Sequence, residues 1–245
     1  MTRPIGFSTG ALALGDFRAA LDMLKNCRAT TVELSALRDH ELGSLIEALP
    51  SLNLKQFSYV SVHVPSQFRT LSESQVAAGL GKCIDLGISI VIHPDSIQNR
   101  DCWRSFGSLL CIENMDKRKR TGRTADELEP FFAAYPDATF CFDIAHARQV
   151  DSTMNEARRM LRRFGDRLQQ VHISEIDGQG HHKRLSVATV LASQSIASLI
   201  KETTPIIIES MIPAQSIQME LDAAERALAT PSRAGWEYSD WGELA

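Results

Sequence analysis

The chain lacks the usual signs of a disulfide-stabilised, secreted or membrane-spanning protein. Its five cysteines, at positions 27, 83, 102, 111 and 141, are an odd number without CxxC spacing, so we expect reduced thiols. No apolar stretch reaches the roughly 18 residues that a membrane span needs, and no long apolar leader precedes the first strand-like run. These absences predict a cytoplasmic protein that does not engage a membrane.

The chain also lacks an excess of positive charge and a glycine-rich phosphate-binding turn. Lys and Arg total 26 against 30 Asp and Glu, which gives 245 residues a formal charge of −4. This balance argues against a strongly basic nucleic-acid-binding protein. The segment Gly6–Gly10 matches the GxGxxG pattern poorly, which disfavours a doubly wound open sheet.

What the chain does contain is a regular series of eight short apolar runs, typical of strands buried on both faces. They are Pro4–Ser8, Thr30–Ser35, Gln56–His63, Ser89–His93, Leu109–Glu113, Thr139–Asp143, Leu168–Ser174 and Pro205–Glu209. Helical patterns occupy Asp16–Leu24, Glu41–Ala48, Ser72–Leu86, Thr124–Ala134, Ser152–Phe164, Ser186–Lys201 and Pro213–Ala229, with at best a stunted helix at Gln98–Phe106. The mean spacing of about 31 residues fits a minimal (β/α)₈ barrel of roughly 250 residues.

Strands that alternate with helices predict parallel βαβ units. We therefore predict an α/β protein made of one single-domain (β/α)₈ TIM barrel over residues 1–230. The remaining residues, 231–245, contain Trp236, Tyr238 and Trp241. They are predicted to form a packing or oligomerisation appendage, which allows for a homo-oligomer.

Histidines and carboxylates gather where these runs end, which is where a TIM barrel places its catalytic groups. Six of the seven histidines lie there or just beyond: His63, His93, His146, His172, His181 and His182. Three carboxylates join them, Glu113, Asp143 and Glu209. This donor set is typical of a site for Zn²⁺ or Mn²⁺, and cations would relieve the repulsion among the carboxylates.

The strand-end motifs resemble those of the xylose isomerase-like TIM barrels, and within them the endonuclease IV type. The motifs are HxP at His63, HP at His93, EN at Glu113, DxxH from Asp143, histidine–hydrophobic–serine at His172 and a glutamate at Glu209. The resemblance implies two or three divalent ions. It assigns His63, His93 and Glu113 to one ion, and Glu113, Asp143, His172 and Glu209 to the next.

The same resemblance implies a third ion site that this chain matches only in part. His146 and His182 match its histidines, but Gly180 stands where the pattern has an aspartate. Asp177, Glu175 or His181 are candidates to replace that aspartate. The other alternative is that only two ions bind.

The first functional hypothesis is metal-dependent hydrolysis of a phosphoester-type bond, with Glu113, Glu209 and His146 as the catalytic residues. Five of the seven residues Lys117–Arg123 are basic, so they form either an anion-binding loop or a solvated surface. The residues expected to contact the substrate are Glu33, Asn114, Arg118, Arg120 and His181. Because the chain is net acidic and the loop after His63 is short, we expect a small phosphorylated or sugar-like substrate rather than DNA.

Two other hypotheses remain open. A sugar or sugar-phosphate isomerase or epimerase would need one metal, held by Glu113, Asp143, His172 and Glu209, with the two glutamates as acid and base. Such an enzyme has no evident need for His63 and His93 as ligands. A degenerate barrel that only binds a ligand is the third hypothesis, and Gly180 lends it some weight.

Overall fold

The computed structural model describes residues 3–229, and these contain a closed barrel of eight parallel strands. The described residues form ten strands, which in chain order are β1 (Ile5–Ser8), β2 (Thr31–Ser35), β3 (Tyr59–His63), β4 (Ser89–Ile92), β5 (Leu110–Glu113), β6 (Thr139–Asp143), β7 (Leu168–Ile173), β8 (Glu175–Ile176), β9 (His182–Lys183) and β10 (Ile206–Ile208). Eight of them, β1 to β7 and β10, form the barrel. The barrel runs from β1 through β7 to β10, which pairs with β1. The predicted single-domain TIM barrel is confirmed.

Helices connect consecutive strands along the outside of the barrel. They are α1 (Thr9–Ala13), α2 (Phe17–Leu24), α3 (Asp39–Ala48), α4 (Glu73–Gly79), α5 (Gly81–Asp85), α6 (Ala125–Ala134), α7 (Ile144–Val150), α8 (Asn155–Phe164), α9 (Val187–Gln194) and α10 (Ile217–Leu228). Side-chain caps fix several starts: Asp16, for example, accepts a hydrogen bond from the Ala19 amide at 3.0 Å. Between β4 and β5 the longest helical segment is 3₁₀, Arg100–Leu109.

Strands β8 and β9 form a small antiparallel hairpin in the connection from β7 to α9, which the apolar pattern did not predict. The carboxylate of Asp177 closes its turn by accepting from the amides of Gln179 and His181, at 2.9 and 3.0 Å. Gly180 lies in this turn with φ +85°, a conformation that favours glycine. The hairpin therefore presents its turn at the carboxyl end of the barrel.

Side chains alternate along each strand between the helices and the barrel interior. On β6, Phe140 packs against Phe132 of α6 and Phe164 of α8, with ring centroids 5.8 and 5.9 Å apart. The neighbouring Cys141 instead joins Cys111 in a separate buried cluster. Buried side chains of the larger kind each contribute about 1.5–3 kcal/mol to stability.

Strands β1 and β2 approach so closely that only glycine fits at position 6. A Cβ atom there would lie 1.7 Å from the backbone oxygen of Thr31. No helix within residues 3–229 has the length and apolar character to cross a membrane. The predicted appendage, residues 231–245, lies outside the described residues.

Candidate metal centre

The carboxyl ends of the barrel strands open into a cavity of about 640 Å³. Parallel strands bring these ends to one face, so side chains distant in sequence meet there. Among the residues that line the cavity are His63, His93, Glu113, His146, His182 and Glu209. The structure thus brings together most of the strand-end residues that the sequence singled out.

Glu113, at the end of β5, lies at the centre of the cluster and is only 1% exposed. Its Oε2 atom is 3.1 Å from His63 Nε2 and 3.2 Å from His93 Nε2. Its Oε1 atom is 3.2 Å from His146 Nδ1 and 3.5 Å from His172 Nδ1. One carboxylate therefore lies close to four histidines, which belong to four different βα units of the barrel.

His63, His93 and Glu113 form a first group that could hold a metal ion, with ligand atoms within 4.8 Å of one another. His63 Nδ1 is 2.8 Å from the backbone oxygen of Val64. A carbonyl oxygen only accepts, so Nδ1 carries a proton, and once a metal ion replaces the proton between Nε2 and Glu113 the Nε2 lone pair points at the cluster. This orientation suits a metal ligand.

Glu113, Asp143, His172 and Glu209 form a second group of this kind. Asp143 Oδ1 caps helix α7 by accepting from the His146 amide at 2.7 Å. Asp143 Oδ2 and His172 Nδ1 are buried and have no hydrogen-bond partner among the described residues. Since buried polar atoms are normally paired, these unpaired atoms fit a bound cation.

Glu33, which the sequence predicted to contact substrate, lies below the cluster and is fully buried. Its Oε2 atom accepts from His172 Nε2 at 3.1 Å, from Gln170 at 2.7 Å and from Ser61 at 3.0 Å. Glu33, His63, His172 and Glu209 also place ligand atoms within 4.8 Å of one another. Oε2 thus accepts three hydrogen bonds, whereas Oε1 is buried without a partner among the described residues. This geometry makes Glu33 a partner of His172, and its contact with substrate stays a prediction.

His146 and His182 form one wall of the cavity, with ring centroids 5.9 Å apart. His146 Nδ1 is 2.9 Å from the backbone oxygen of Asn114, so Nδ1 carries a proton and Nε2 faces Asp116 at 4.0 Å. His182 Nδ1 is 2.8 Å from Ser174 Oγ and 3.6 Å from Glu209 Oε2. Neither histidine belongs to the two groups that contain Glu113.

The residues considered as replacements for the aspartate absent at Gly180 do not reach this wall. Glu175 binds Arg148 at 2.9 Å and also accepts from Ser186 and Thr189. Asp177 is used in the hairpin turn and binds Lys183 at 2.9 Å. His181 points to solvent beside Asp177, with 65% of its side chain exposed.

Of the five residues predicted to contact substrate, only Arg118 lines the cavity. Glu33 and His181 are accounted for above. Asn114 is buried and braces β5 against β6 by bonding both the amide and the oxygen of Asp143, at 2.8 and 2.9 Å. Arg120 is exposed and is not part of the lining.

The sequence analysis missed several lining residues. Asp116 lies beside Arg118, and Lys119 binds Asp95 at 2.8 Å. The sequence did mark these positions, because Asp116 directly precedes the basic residues Lys117–Arg123 and Asp95 follows the apolar run that ends at His93. Across the cavity, Leu14 and Leu37 form an exposed apolar lip that no motif marked.

Negative charge in the cluster changes the protonation of its members. Burial alone lowers the pKa of His146, but the charges of Asp143, Glu113 and Glu209 outweigh it and raise the pKa to about 10. Burial also opposes protonation of His63, yet its hydrogen bond to Glu113 helps raise its pKa to about 9. Burial raises the pKa of Asp143 to about 6 despite the charge of His146. The negative charge of the carboxylates therefore favours protons on these histidines, and the same charge would favour bound metal ions.

Comparison with known proteins shows the fold. No protein-family model and no curated protein matches the chain. Endonuclease IV from Thermus thermophilus matches with a TM-score of 0.60 and 17% identity, over 91% of this chain and 99% of that one. SacUVDE matches with a TM-score of 0.51 and 17% identity, over 86% of this chain and 82% of that one. The predicted resemblance to the xylose isomerase-like TIM barrels is confirmed for the fold.

The expectation of a small phosphorylated or sugar-like substrate in place of DNA is corrected by these matches, because endonuclease IV is a nuclease by its name. The physical error lay in using the net charge of −4. Net charge averages over the whole surface, whereas a phosphate backbone meets one face. The loops at the carboxyl ends of β2, β3, β5 and β7 carry more basic than acidic residues: Arg38, Arg69, Lys117, Arg118, Lys119, Arg120, Arg123, Lys183 and Arg184 against Asp116, Glu175 and Asp177.

Proposed function

We propose that this protein is a divalent-metal-dependent endonuclease that hydrolyses phosphodiester bonds in DNA. The observation that carries the proposal is the position of Glu113, which belongs to two of the three candidate metal groups. A carboxylate shared in this way can hold two ions close together. Imidazole and carboxylate donors suit Zn²⁺ or Mn²⁺.

The residues of the cluster divide into ligands and groups that face the substrate. His63, His93 and Glu113 would hold one ion, and Glu113, Asp143, His172 and Glu209 the other. Two such ions would supply Lewis acidity toward a phosphoryl oxygen and lower the pKa of a bound water. His63 and His93 favour hydrolysis over isomerisation, because the one-metal isomerase scheme has no evident use for them as ligands.

Glu113 and Glu209 are the members of the second group that line the cavity, and Glu209 is the more exposed of the two. Its side chain is 14% exposed, whereas Asp143 and His172 are fully buried. Its Oε2 atom lies 3.6 Å from His182 Nδ1, and His182 also lines the cavity. Glu209 is therefore placed to orient a water toward the substrate and to accept its proton, with His182 beside it.

The proposal for DNA rests on the fold shared with endonuclease IV and on the basic loops around the cavity. These loops offer sequence-independent contacts to phosphates, which account for much of the affinity of proteins for DNA. Glu113 and its neighbours lie within the ring of loops. A phosphodiester held by the loops would thus be presented to the cluster.

The test compares cleavage and metal content in the purified protein. We expect two equivalents of Zn²⁺ or Mn²⁺ and metal-dependent nicking of labelled duplexes that carry either an abasic site or ultraviolet photoproducts. Glu113→Gln removes the shared charge and should abolish nicking, with at least one metal equivalent lost. Glu220→Gln is the matched control, because Glu220 is an equally buried carboxylate that binds Ser210 and Leu185 outside the cluster.

Two results would overturn the proposal. One is a metal-loaded protein that leaves undamaged, abasic and irradiated duplexes intact. The other is full activity in Glu113→Gln, which would place the chemistry elsewhere.

A further inference from the structure

We propose that the Arg118 guanidinium is a fixed phosphate-binding group of the candidate metal centre. It supplies, at the end of the centre where His146 and His182 lie, the positive charge that a third ion would otherwise bring. The inference rests on the proposed function, since it assumes that the ligand is a phosphate ester. It concerns a residue at the wall of the cavity and not the groups around Glu113.

Arg118, whose side chain is 44% exposed, is held in place by a buried carboxylate. Asp116 Oδ1 accepts from the Arg118 amide at 2.7 Å and from Nε at 2.9 Å, and Asp116 Oδ2 accepts from Nη2 at 2.8 Å. The Asp116 side chain is only 2% exposed. A two-point contact of this type fixes both the position and the plane of the guanidinium.

The hairpin holds the other edge of the guanidinium. Arg118 Nη1 donates to the backbone oxygen of Gln179 in the β8–β9 turn. The contacts with described residues thus use three of the five N–H groups of the side chain. Two N–H groups remain on a residue that lines the cavity.

Gly180 is what makes this position available. A Cβ atom on Gly180 would lie 1.8 to 2.0 Å from the guanidinium carbon and its two terminal nitrogens. Any side chain at position 180 would therefore displace Arg118 from the wall. Glycine here serves the close approach of the guanidinium as well as the positive φ of the turn.

The surrounding groups explain why a fixed cation belongs at this point. Asp116 Oδ2 is 4.0 Å from His146 Nε2, and the ring of His182 lies beyond His146. A carboxylate next to one histidine of a pair is a donor set that could attract an ion. Arg118 already neutralises that carboxylate, so we expect the wild-type protein to bind two ions and not three.

The fixed guanidinium faces the same cavity as Glu113 and Glu209. A tetrahedral phosphate held at the metal groups would still have oxygens to accept hydrogen bonds from the cavity wall. The planar fork of arginine matches such oxygens, and charge-assisted bonds of this kind are about twice as strong as neutral ones. Arg118 would therefore bind the substrate phosphate in the ground state and on the path to cleavage.

The experiment measures two quantities other than activity, in metal-loaded protein: metal equivalents by mass spectrometry and the Kd for inorganic phosphate by calorimetry. Arg118→Ala should leave two metal equivalents and weaken phosphate binding about 10- to 100-fold. Gly180→Ala should weaken it by a similar factor, because the new methyl group displaces the guanidinium. Arg118→Lys keeps the charge without the fork and should lie between these values.

Arg159→Ala is the matched control, because Arg159 is also paired with carboxylates, Asp126 and Glu156, but does not line the cavity; its phosphate Kd should stay within about twofold of the wild-type value. Melting temperatures check that each variant is folded. The inference is overturned if folded Arg118→Ala binds phosphate as the wild type does, or if the wild type holds three metal equivalents. Absence of DNA cleavage together with loss of phosphate binding in Arg118→Ala would refute the proposed substrate and leave the role of Arg118 standing.

Discussion

The two sides of the barrel mouth differ in how their buried polar atoms are paired. At the ends of β1 and β2, Ser8 Oγ and Ser35 Oγ bond each other at 2.9 Å, and Thr9 Oγ1 accepts from the Ser35 amide at 2.9 Å. At the ends of β6 and β7, Asp143 Oδ2 and His172 Nδ1 are buried without partners among residues 3–229. Buried polar atoms that are hydrogen-bonded to each other stabilise the fold, whereas buried polar atoms without a hydrogen-bond partner indicate a binding site for a ligand.

The difference also separates the chemistry that each side offers. The ends of β1 and β2 carry neutral side chains, and their exposed lip of Leu14 and Leu37 has no group that can ligate a metal. The carboxylate of β2, Glu33, lies deeper in the barrel and contacts His172. Leu14 adopts φ +50°, a left-handed conformation that costs a non-glycine residue free energy. The titratable groups lie at the ends of β3 to β7, on Glu33 beneath them and on Glu209 after β10, so metal, proton and phosphate effects should map to these residues.

The largest expected effect is at Asp143. Asp143→Asn keeps an acceptor for the cap of α7 but removes the charge from the second metal group, so we expect loss of that ion and of DNA cleavage by at least about 1000-fold. Ser35→Ala, a buried change on the opposite side of the mouth, should leave metal content unchanged. Metal analysis and nicking assays on both variants measure the difference. Full occupancy in Asp143→Asn would move the centre away from β6.

The next effect is a pH dependence of metal binding. In the metal-free protein the pKa values of His146 and His63 are raised to about 10 and about 9, so both are protonated at pH 7. Despite its burial, His172 also has a pKa well above its ordinary value, because of the charges of Glu33, Glu209 and Glu113. Cations at the cluster oppose these protons, and binding should therefore release at least two protons and tighten as pH rises from 7 to 9. Calorimetry in two buffers of different ionisation enthalpy counts the released protons.

The raised pKa values of His63 and His146 also determine how the stability of the folded protein changes with pH. A histidine whose folded pKa lies above its ordinary value stabilises the folded state fully below pH 6.5, and this contribution is lost as pH rises through about 9 and 10. The metal-free protein should lose melting temperature over that interval, while the metal-loaded protein should lose less. Parallel curves for the two forms would show that these histidines do not face the ions.

Sequence periodicity predicted the barrel because each strand is a local, apolar segment with a regular spacing. It also predicted most of the cluster, since His63, Glu113 and Asp143 are the last residues of strands β3, β5 and β6. Periodicity could not give hydrogen-bond partners. The pairing of Arg118 with Asp116 over Gly180 joins two loops far apart in sequence, and no local pattern encodes that contact.

Alternation along the strands explains the position of Glu33. Gln170 lies two residues before His172, and Ser61 lies two residues before His63, so each pair shares a face of its strand. Both Gln170 and Ser61 donate to Glu33. Glu33 itself lies two residues before Ser35, the last residue of β2, and it occupies the layer beneath the ligands. The period of two alone does not say which layer a residue occupies.

The smallest expected effect tests this lower layer. Glu33→Gln removes the charge that orients His172 through Nε2, and we expect metal affinity to fall about 10- to 100-fold without loss of the fold. Ser61→Ala removes one donor to Glu33 but not its charge, so its metal affinity should change by about threefold or less. Competition titrations with a chelating dye give both affinities. If Glu33 has a purely structural role, Glu33→Gln should have a lower melting temperature and the metal affinity of the wild type. If Glu33 positions His172, the metal affinity should fall at every pH at which His172 binds the ion.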